Sequence, residues 1–362
     1  MNIAIKDSYI YLRFFLLFFL LTFLYSSKMS AQSQTNSYLG LMIPLYVSCE
    51  KLEKDVTQLE KDVTQLDKDV TKILAKHSIP KYKSVPIRFI LNGTNGPPDE
   101  MNRDCISKAI NTIHSKNSTL LTVLGYVHLR DADNKLLYRD IDKIRLDLER
   151  WQELKVDGFF IDEVPHFSVY CKDLNCDLIS EKSMKEQVKM DFIATQEIFN
   201  KLKLVYQKLN YDTDKIVGNI GSAGVQLFYA QWFGTIVVSE SNYLPLSNDG
   251  YTNTDYFSNL YSHAWKTNKE NDFYGRETRA ILIHTLCQTI SKQKLVDAGY
   301  VAKWVYFTDD KYQYCQNKPN CDGNPWDQLT SFLELNFKAA ISEEPKAQPK
   351  PNNSKSKKLL KK

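Results

Sequence analysis

Three carboxylates in this chain close apolar runs in a pattern that suits acid–base chemistry. Asp162 and Glu163 follow Val156-Asp157-Gly158-Phe159-Phe160-Ile161, and Glu240 follows Thr235-Ile236-Val237-Val238-Ser239. A short apolar run that ends in an acid reads as a buried strand delivering a charge to its C-terminal end. Successive side chains of a strand point to opposite sides, so Phe160 and Asp162 share one side and Glu163 takes the other. Two carboxylates facing one cleft are what hydrolysis of a glycosidic bond requires. One protonates the leaving oxygen while the other attacks the sugar or activates water. A separation of roughly 5–5.5 Å means retention and about 6.5–9.5 Å means inversion, a distance that sequence does not supply. Each acid also has a plainer reading: Asp162-Glu163 favours the start of a following helix through its dipole, and Glu240 serves an edge salt bridge.

Further polar and aromatic residues stand where other apolar runs stop. These substrate-binding candidates are Tyr46, Asn92, Tyr126, His128, Asn219 and Trp304, with Tyr243 shortly after Glu240. His128 is placed to assist a carboxylate or bind a sugar hydroxyl, though a lone histidine is as often structural. Gly218-Asn219-Ile220-Gly221-Ser222-Ala223-Gly224 lacks the spacing of a dinucleotide-binding turn and reads as a strand-to-helix turn. The six histidines show no metal-ligand spacing and there is no C-x-x-C, so neither a metal nor another cofactor is expected. Cys49 has no histidine nearby in sequence, which argues against thiol catalysis.

The elements that must position these residues alternate along the chain. Strands are expected near residues 41–47, 87–92, 121–128, 158–163, 215–219, 235–240, 279–285 and 301–308, several of them continuously apolar as in a parallel sheet covered on both faces. Helical patterns fall between them at 52–76, 104–114, 140–155, 183–209, 254–267 and 290–298, with a shorter one after Gly224 and a closing one at 326–341. Eight strands, each followed by a helix, predict a single (β/α)8 barrel of TIM type over 38–342, with a doubly wound open sheet as the alternative. In such barrels the active site lies at the C-terminal strand ends, where the candidates cluster.

The flanks carry other information. Lys6 and Arg13 precede an apolar run from Phe14 to Tyr25, with small residues around Ser30-Ala31, so residues 1–31 read as a secretory signal peptide and the protein as secreted or at the cell surface. An uncleaved signal anchor is the alternative; no later stretch looks membrane-spanning, so no membrane partner is expected once the signal is removed. Residues 343–362 are rich in Pro, Lys, Asn and Ser and read as a disordered basic tail. The net charge of +4 is too small to argue for a nucleic-acid partner. Leu52, Val56, Leu59, Val63, Leu66, Val70 and Ile73 form a heptad seam within 52–76. It reads first as an amphipathic helix packed on the barrel and second as a coiled coil able to form a homo-oligomer through 52–73. Seven cysteines suit an oxidising compartment. Cys171 with Cys176 and Cys315 with Cys321 are close enough to staple single loops, while Cys49, Cys105 and Cys287 remain and the pairing stays open. Sequons occur at Asn92, Asn117 and Asn352.

From about residue 41 to 337 the chain resembles the spherulin-4-like (spherulation-specific family 4) proteins. The matching segments are Ile43-Pro44-Leu45-Tyr46, Phe89-Ile90-Leu91-Asn92-Gly93-Thr94-Asn95-Gly96-Pro97 and Val123-Leu124-Gly125-Tyr126-Val127. They continue with 156–163, Val237-Val238-Ser239-Glu240 and Asn324-Pro325-Trp326-Asp327-Gln328-Leu329. The resemblance implies a (β/α)8 barrel related to galactosaminidase-type glycoside hydrolases, secreted or at the cell surface, acting on polysaccharide that contains N-acetylgalactosamine. It maps the family's paired acids after strand four to Asp162 and Glu163 and its strand-six glutamate to Glu240. On this reading Asp162 is nucleophile or stabiliser, Glu240 acid/base and Glu163 a supporting carboxylate. The strand-five turn, often Asn-Pro-Gly in such proteins, is Asn219-Ile220-Gly221 here. The rival from another class is a non-catalytic wall or coat protein that binds glycan through the same cleft.

Overall fold

The computed structural model describes residues 39–46, 49, 64–93, 95–131, 138–165, 182–221, 229, 231–241, 276–283, 292–299, 302–308 and 329–342. The strands are β1 (Gly40–Leu45), β2 (Ile87–Leu91), β3 (Leu121–His128), β4 (Gly158–Asp162), β5 (Ile216–Asn219), β6 (Thr235–Ser241), β7 (Arg279–Ile283) and β8 (Trp304–Phe307). They close in sequence order, β8 pairing β1, and every pairing is parallel. The described helices are α1 (Gln65–His77), α2 (Glu100–His114), α3 (Ile141–Glu153), α4 (Lys182–Lys208), α5 (Lys292–Ala298) and α6 (Leu333–Ala340). This is a (β/α)8 barrel, and the doubly wound alternative is excluded by closure.

Side-chain alternation divides each strand between the barrel lumen and the helical layer. On β4, Phe160 stacks on Tyr126 of β3 inside the barrel, whereas Phe159 faces outward onto Tyr206 and Tyr211. Gly125 also faces outward: a β-carbon there would lie 2.5 Å from the Trp151 ring of α3. The missing side chain lets Trp151 bury fully against β3, where its indole donates to the Tyr126 carbonyl at 2.8 Å.

The heptad-patterned segment is helical from Gln65, capped by Thr64, which accepts from the Asp67 amide while Asp67 accepts from the Thr64 amide. Leu66, Val70, Ile73 and Leu74 are buried in the barrel's core, so this half of the seam is occupied by its own chain. Residues 52–63 of the seam lie outside the described residues. So do the signal segment, the basic tail, the expected helix at 254–267, Cys171, Cys176, Cys287, Cys315 and Cys321. Cys49 and Cys105, which spacing left unassigned, form a disulfide that ties the segment after β1 to α2.

Candidate active site

The C-terminal end of the barrel gathers side chains from four neighbouring strands. Register pairs Tyr126 with Phe160 and His128 with Asp162, so β3 and β4 deliver Tyr126, His128 and Asp162 to the same side. The Tyr126 hydroxyl donates to Asp162 Oδ2 at 2.6 Å. Asp162 Oδ1 accepts from Asn219 Nδ2 at 2.7 Å and from the Glu163 amide at 2.8 Å. Asn219 Nδ2 also donates to Glu240 Oε2 at 2.6 Å. One nitrogen therefore reaches both carboxylates, which places those two oxygens within about 5 Å of each other.

Glu240 arrives there through an irregularity in β6. Thr235 points inward, since it accepts from Arg88 of β2 across the lumen at 2.8 Å. Strict alternation from Thr235 would turn Ser239 inward and Glu240 toward the helices. Instead the register against β7 slips between Val237 and Ser239, and Glu240 pairs with Leu282. The extra residue is a β-bulge, and it re-aims Glu240 into the lumen.

Glu163 has a different setting. Its φ of +57° is left-handed, a conformation that costs a non-glycine residue about 1–3 kcal/mol and is retained where the surroundings enforce it. The turn aims its amide at Asp162 and lets its side chain accept from the Arg130 amide at 3.3 Å. Glu163 thus ties the ends of β3 and β4 together beside the pair.

Tyr46, just past β1, sets its ring edge against Tyr126 at 5.3 Å. Burial first, then the nearby Tyr126, Asp162 and Glu240, push the Tyr46 hydroxyl well above its ordinary range. Burial first and then the Asp162 charge do the same to Tyr126. Both phenols therefore stay neutral donors. Asn92 is half-buried beyond β2, and its side-chain oxygen accepts from the Gly96 amide at 3.1 Å, shaping its own turn. The His128 carbonyl accepts from Arg139 at 3.0 Å. Tyr243 lies outside the described residues.

Trp304 is a correction. It opens β8 rather than approaching its end, pairing with Gly40 at the start of β1. Its ring carries the Arg88 guanidinium 3.9 Å from its centroid, at the N-terminal floor of the barrel and away from the carboxylates. Reading the strand as starting at 301 made Trp304 a mid-strand residue close to the mouth. Burial lowers the Arg88 guanidinium to about 10. At this opposite end a cavity of about 590 Å³ is lined by residues including Arg88, His114, Thr122, Asp157 and Lys215. Sequence reading missed the structural parts played by Gly221 and the bulge. Gly221, at φ +61°, donates its amide to Asn219 Oδ1 at 3.0 Å, a contact for which glycine two residues past a strand end is the only signal.

The closed parallel barrel and the paired acids at its C-terminal end define a carboxylate-bearing (β/α)8 barrel protein. The chain belongs to the spherulation-specific family 4 (Spherulin4), whose model matches residues 72–332. No curated protein matches it. Among solved structures it is similar to a Bacteroidetes-affiliated GH5 cellulase linked with a polysaccharide utilization locus, at TM-score 0.42 and 9% identity over 88% of this chain and 95% of that one. It is also similar to a GH5-4 broad-specificity endoglucanase from Bacteroides salanitronis, at TM-score 0.41 and 8% identity over 84% and 92%. A putative sugar phosphate isomerase/epimerase from Anabaena variabilis matches at TM-score 0.41 and 11% identity over 83% and 96%.

Proposed function

We propose that this protein is a secreted glycoside hydrolase that cleaves amino-sugar polysaccharide containing N-acetylgalactosamine. The observation that carries the reading is the pair Asp162 and Glu240, two carboxylates from different strands bonded to one amide nitrogen at 2.7 and 2.6 Å. In this reading Glu240 is the acid and protonates the glycosidic oxygen as that bond breaks. Asp162, oriented by Tyr126, Asn219 and the Glu163 amide, attacks the anomeric carbon to form a glycosyl-enzyme ester. Glu240 then takes a proton from water, which attacks the same carbon and releases Asp162. The two oxygens that share this nitrogen lie within about 5 Å of each other, which favours retention over the wider separation of inversion. The substrate's sugar rests on family membership, and secretion on the pattern of residues 1–31 with the Cys49–Cys105 disulfide.

The test is hydrolysis of purified polysaccharides, including galactosaminogalactan-type and chitin-type glycans, by the wild type, Asp162→Asn and Glu240→Gln, following new reducing ends. Both variants lose activity by at least about a hundredfold on this mechanism, and the first product released keeps the anomeric configuration of the substrate. Equal activity in all three proteins rejects the assignment of the pair. Saturable binding without turnover on every glycan supports a glycan-binding coat protein instead.

A further inference from the structure

We propose that Asn219 is a positioning residue that sets the spacing of the two acids, and not the sugar-binding residue its place at a strand end predicts. This inference rests on the hydrolase reading of Asp162 and Glu240. The Asn219 side chain is almost fully buried, at 6% exposure. Its amide nitrogen has two hydrogens, and the contacts at 2.7 Å to Asp162 and 2.6 Å to Glu240 engage both. Its oxygen accepts from the Gly221 amide at 3.0 Å. A backbone N–H only donates, so this contact decides which end of the amide faces the carboxylates.

The turn holds Glu240 a second time, because the Glu240 amide donates to the Gly221 carbonyl at 3.1 Å. Residues 219–221 thus grip Glu240 by side chain and main chain, while the Val164 amide donates to the Asn219 carbonyl at 3.0 Å from the β4 side. β5 lies between the strands that bear the acids, which is where a spacer between them has to stand. The bridge suits an acid that changes roles. An N–H donor bonds a carboxylate or the carbonyl oxygen of a protonated acid, so the bridge persists when Glu240 gives up its proton and when it regains it. Asn219 moves no proton itself.

The experiment compares the wild type with Asn219→Ala, the near-isosteric Asn219→Asp and Asn219→Ser, each checked for folding by thermal melting. Steady-state kinetics on the polysaccharide the wild type cleaves is expected to show kcat lowered about a hundredfold in Asn219→Ala and further in Asn219→Asp, with KM changed less than about threefold. The acid limb of the pH–rate profile moves up by about one unit, because the pair loses a donor to its charged form. Carbon-13 carboxyl NMR titration of the same proteins reads that upward shift without turnover, and whichever variant folds suffices. A rise in KM with unchanged kcat and unchanged titration overturns the proposal in favour of sugar binding. Lowered melting temperature with an unmoved pH profile and titration overturns it in favour of a merely structural role. A wild type without turnover on any glycan removes the hydrolase reading, and the NMR titration then still decides whether Asn219 couples the two acids.

Discussion

At the scale of single residues, the hydrogen bonds around Asp162 identify the groups that orient it. Tyr126 donates to Asp162 Oδ2 at 2.6 Å, and burial first, then the Asp162 charge, keep the phenol neutral. Tyr126→Phe removes one charge-assisted donor and leaves the ring stacked on Phe160, so kcat is expected to fall about ten- to a hundredfold with the fold intact. Unchanged kcat in that variant would show that Asp162 is oriented by its other donors alone. Glu163 offers a stability test that its neighbours do not. Its left-handed φ of +57° penalises any side chain and spares glycine. Glu163→Ala and Glu163→Gly both lose the contact to the Arg130 amide, yet the glycine variant is expected to be more stable by about 1 kcal/mol in urea denaturation. Equal stabilities would mean that the backbone there relaxes.

At the scale of elements, α1 is held to the barrel by an apolar stripe and by polar ties, one of them to α6. Ile73 is fully buried among core residues. Ile73→Ala is expected to destabilise the protein by about 2–5 kcal/mol, with melting that does not depend on protein concentration. Concentration-dependent melting would instead place the seam between copies of the chain. The tie joins Lys76 of α1 to Glu334 of α6, with the Tyr82 hydroxyl donating to the same carboxylate at 2.8 Å. The hydrogen bond from Lys76 is the main cause that lowers Glu334 from its ordinary 4.5 to about 2. A carboxylate depressed in the folded state stabilises the protein above its unfolded value and loses that contribution as the pH falls through the folded one. The window is therefore about pH 4.5 down to about 2. Lys76→Ala is expected to flatten the loss of stability across that window in urea melts. An identical acid limb in the variant would show that the partly exposed tie is screened.

At the scale of the whole molecule, the Cys49–Cys105 bridge closes a loop of sequence separation 56 that spans α1 and β2. Loop-closure entropy gives such a cross-link about 4 kcal/mol. Cys105→Ser is expected to lose most of that in denaturant titrations, and a wild type insensitive to reductant would argue that the linked ends are already ordered by packing. The two ends of the barrel have divided roles. Arg88, Trp304 and Thr235 fill the N-terminal floor, and the acids stand at the other end. The cavity beside Arg88 lies at that floor and has no part in the proposed chemistry.

Local chemistry made much of this protein readable. Continuous apolar runs such as 158–161 and 216–218 marked strands buried on both faces, and their alternation with helical periods implied closure into a barrel. The places of Tyr126, Asp162 and Asn219 near strand ends were legible, and for Asp162 the strand's period also assigned a side. The disulfide partner of Cys49, the true start of β8 at Trp304 and the left-handed turn at Glu163 did not follow, because each depends on where other segments lie. Glu240 states the difference most sharply. Its position at a strand end was legible in sequence, but its direction was decided by a one-residue slip against β7, which reverses the side that simple alternation assigns. The distance between Asp162 and Glu240 is likewise a property of barrel closure, since only the tertiary fold sets β5 between them and makes one amide their common neighbour.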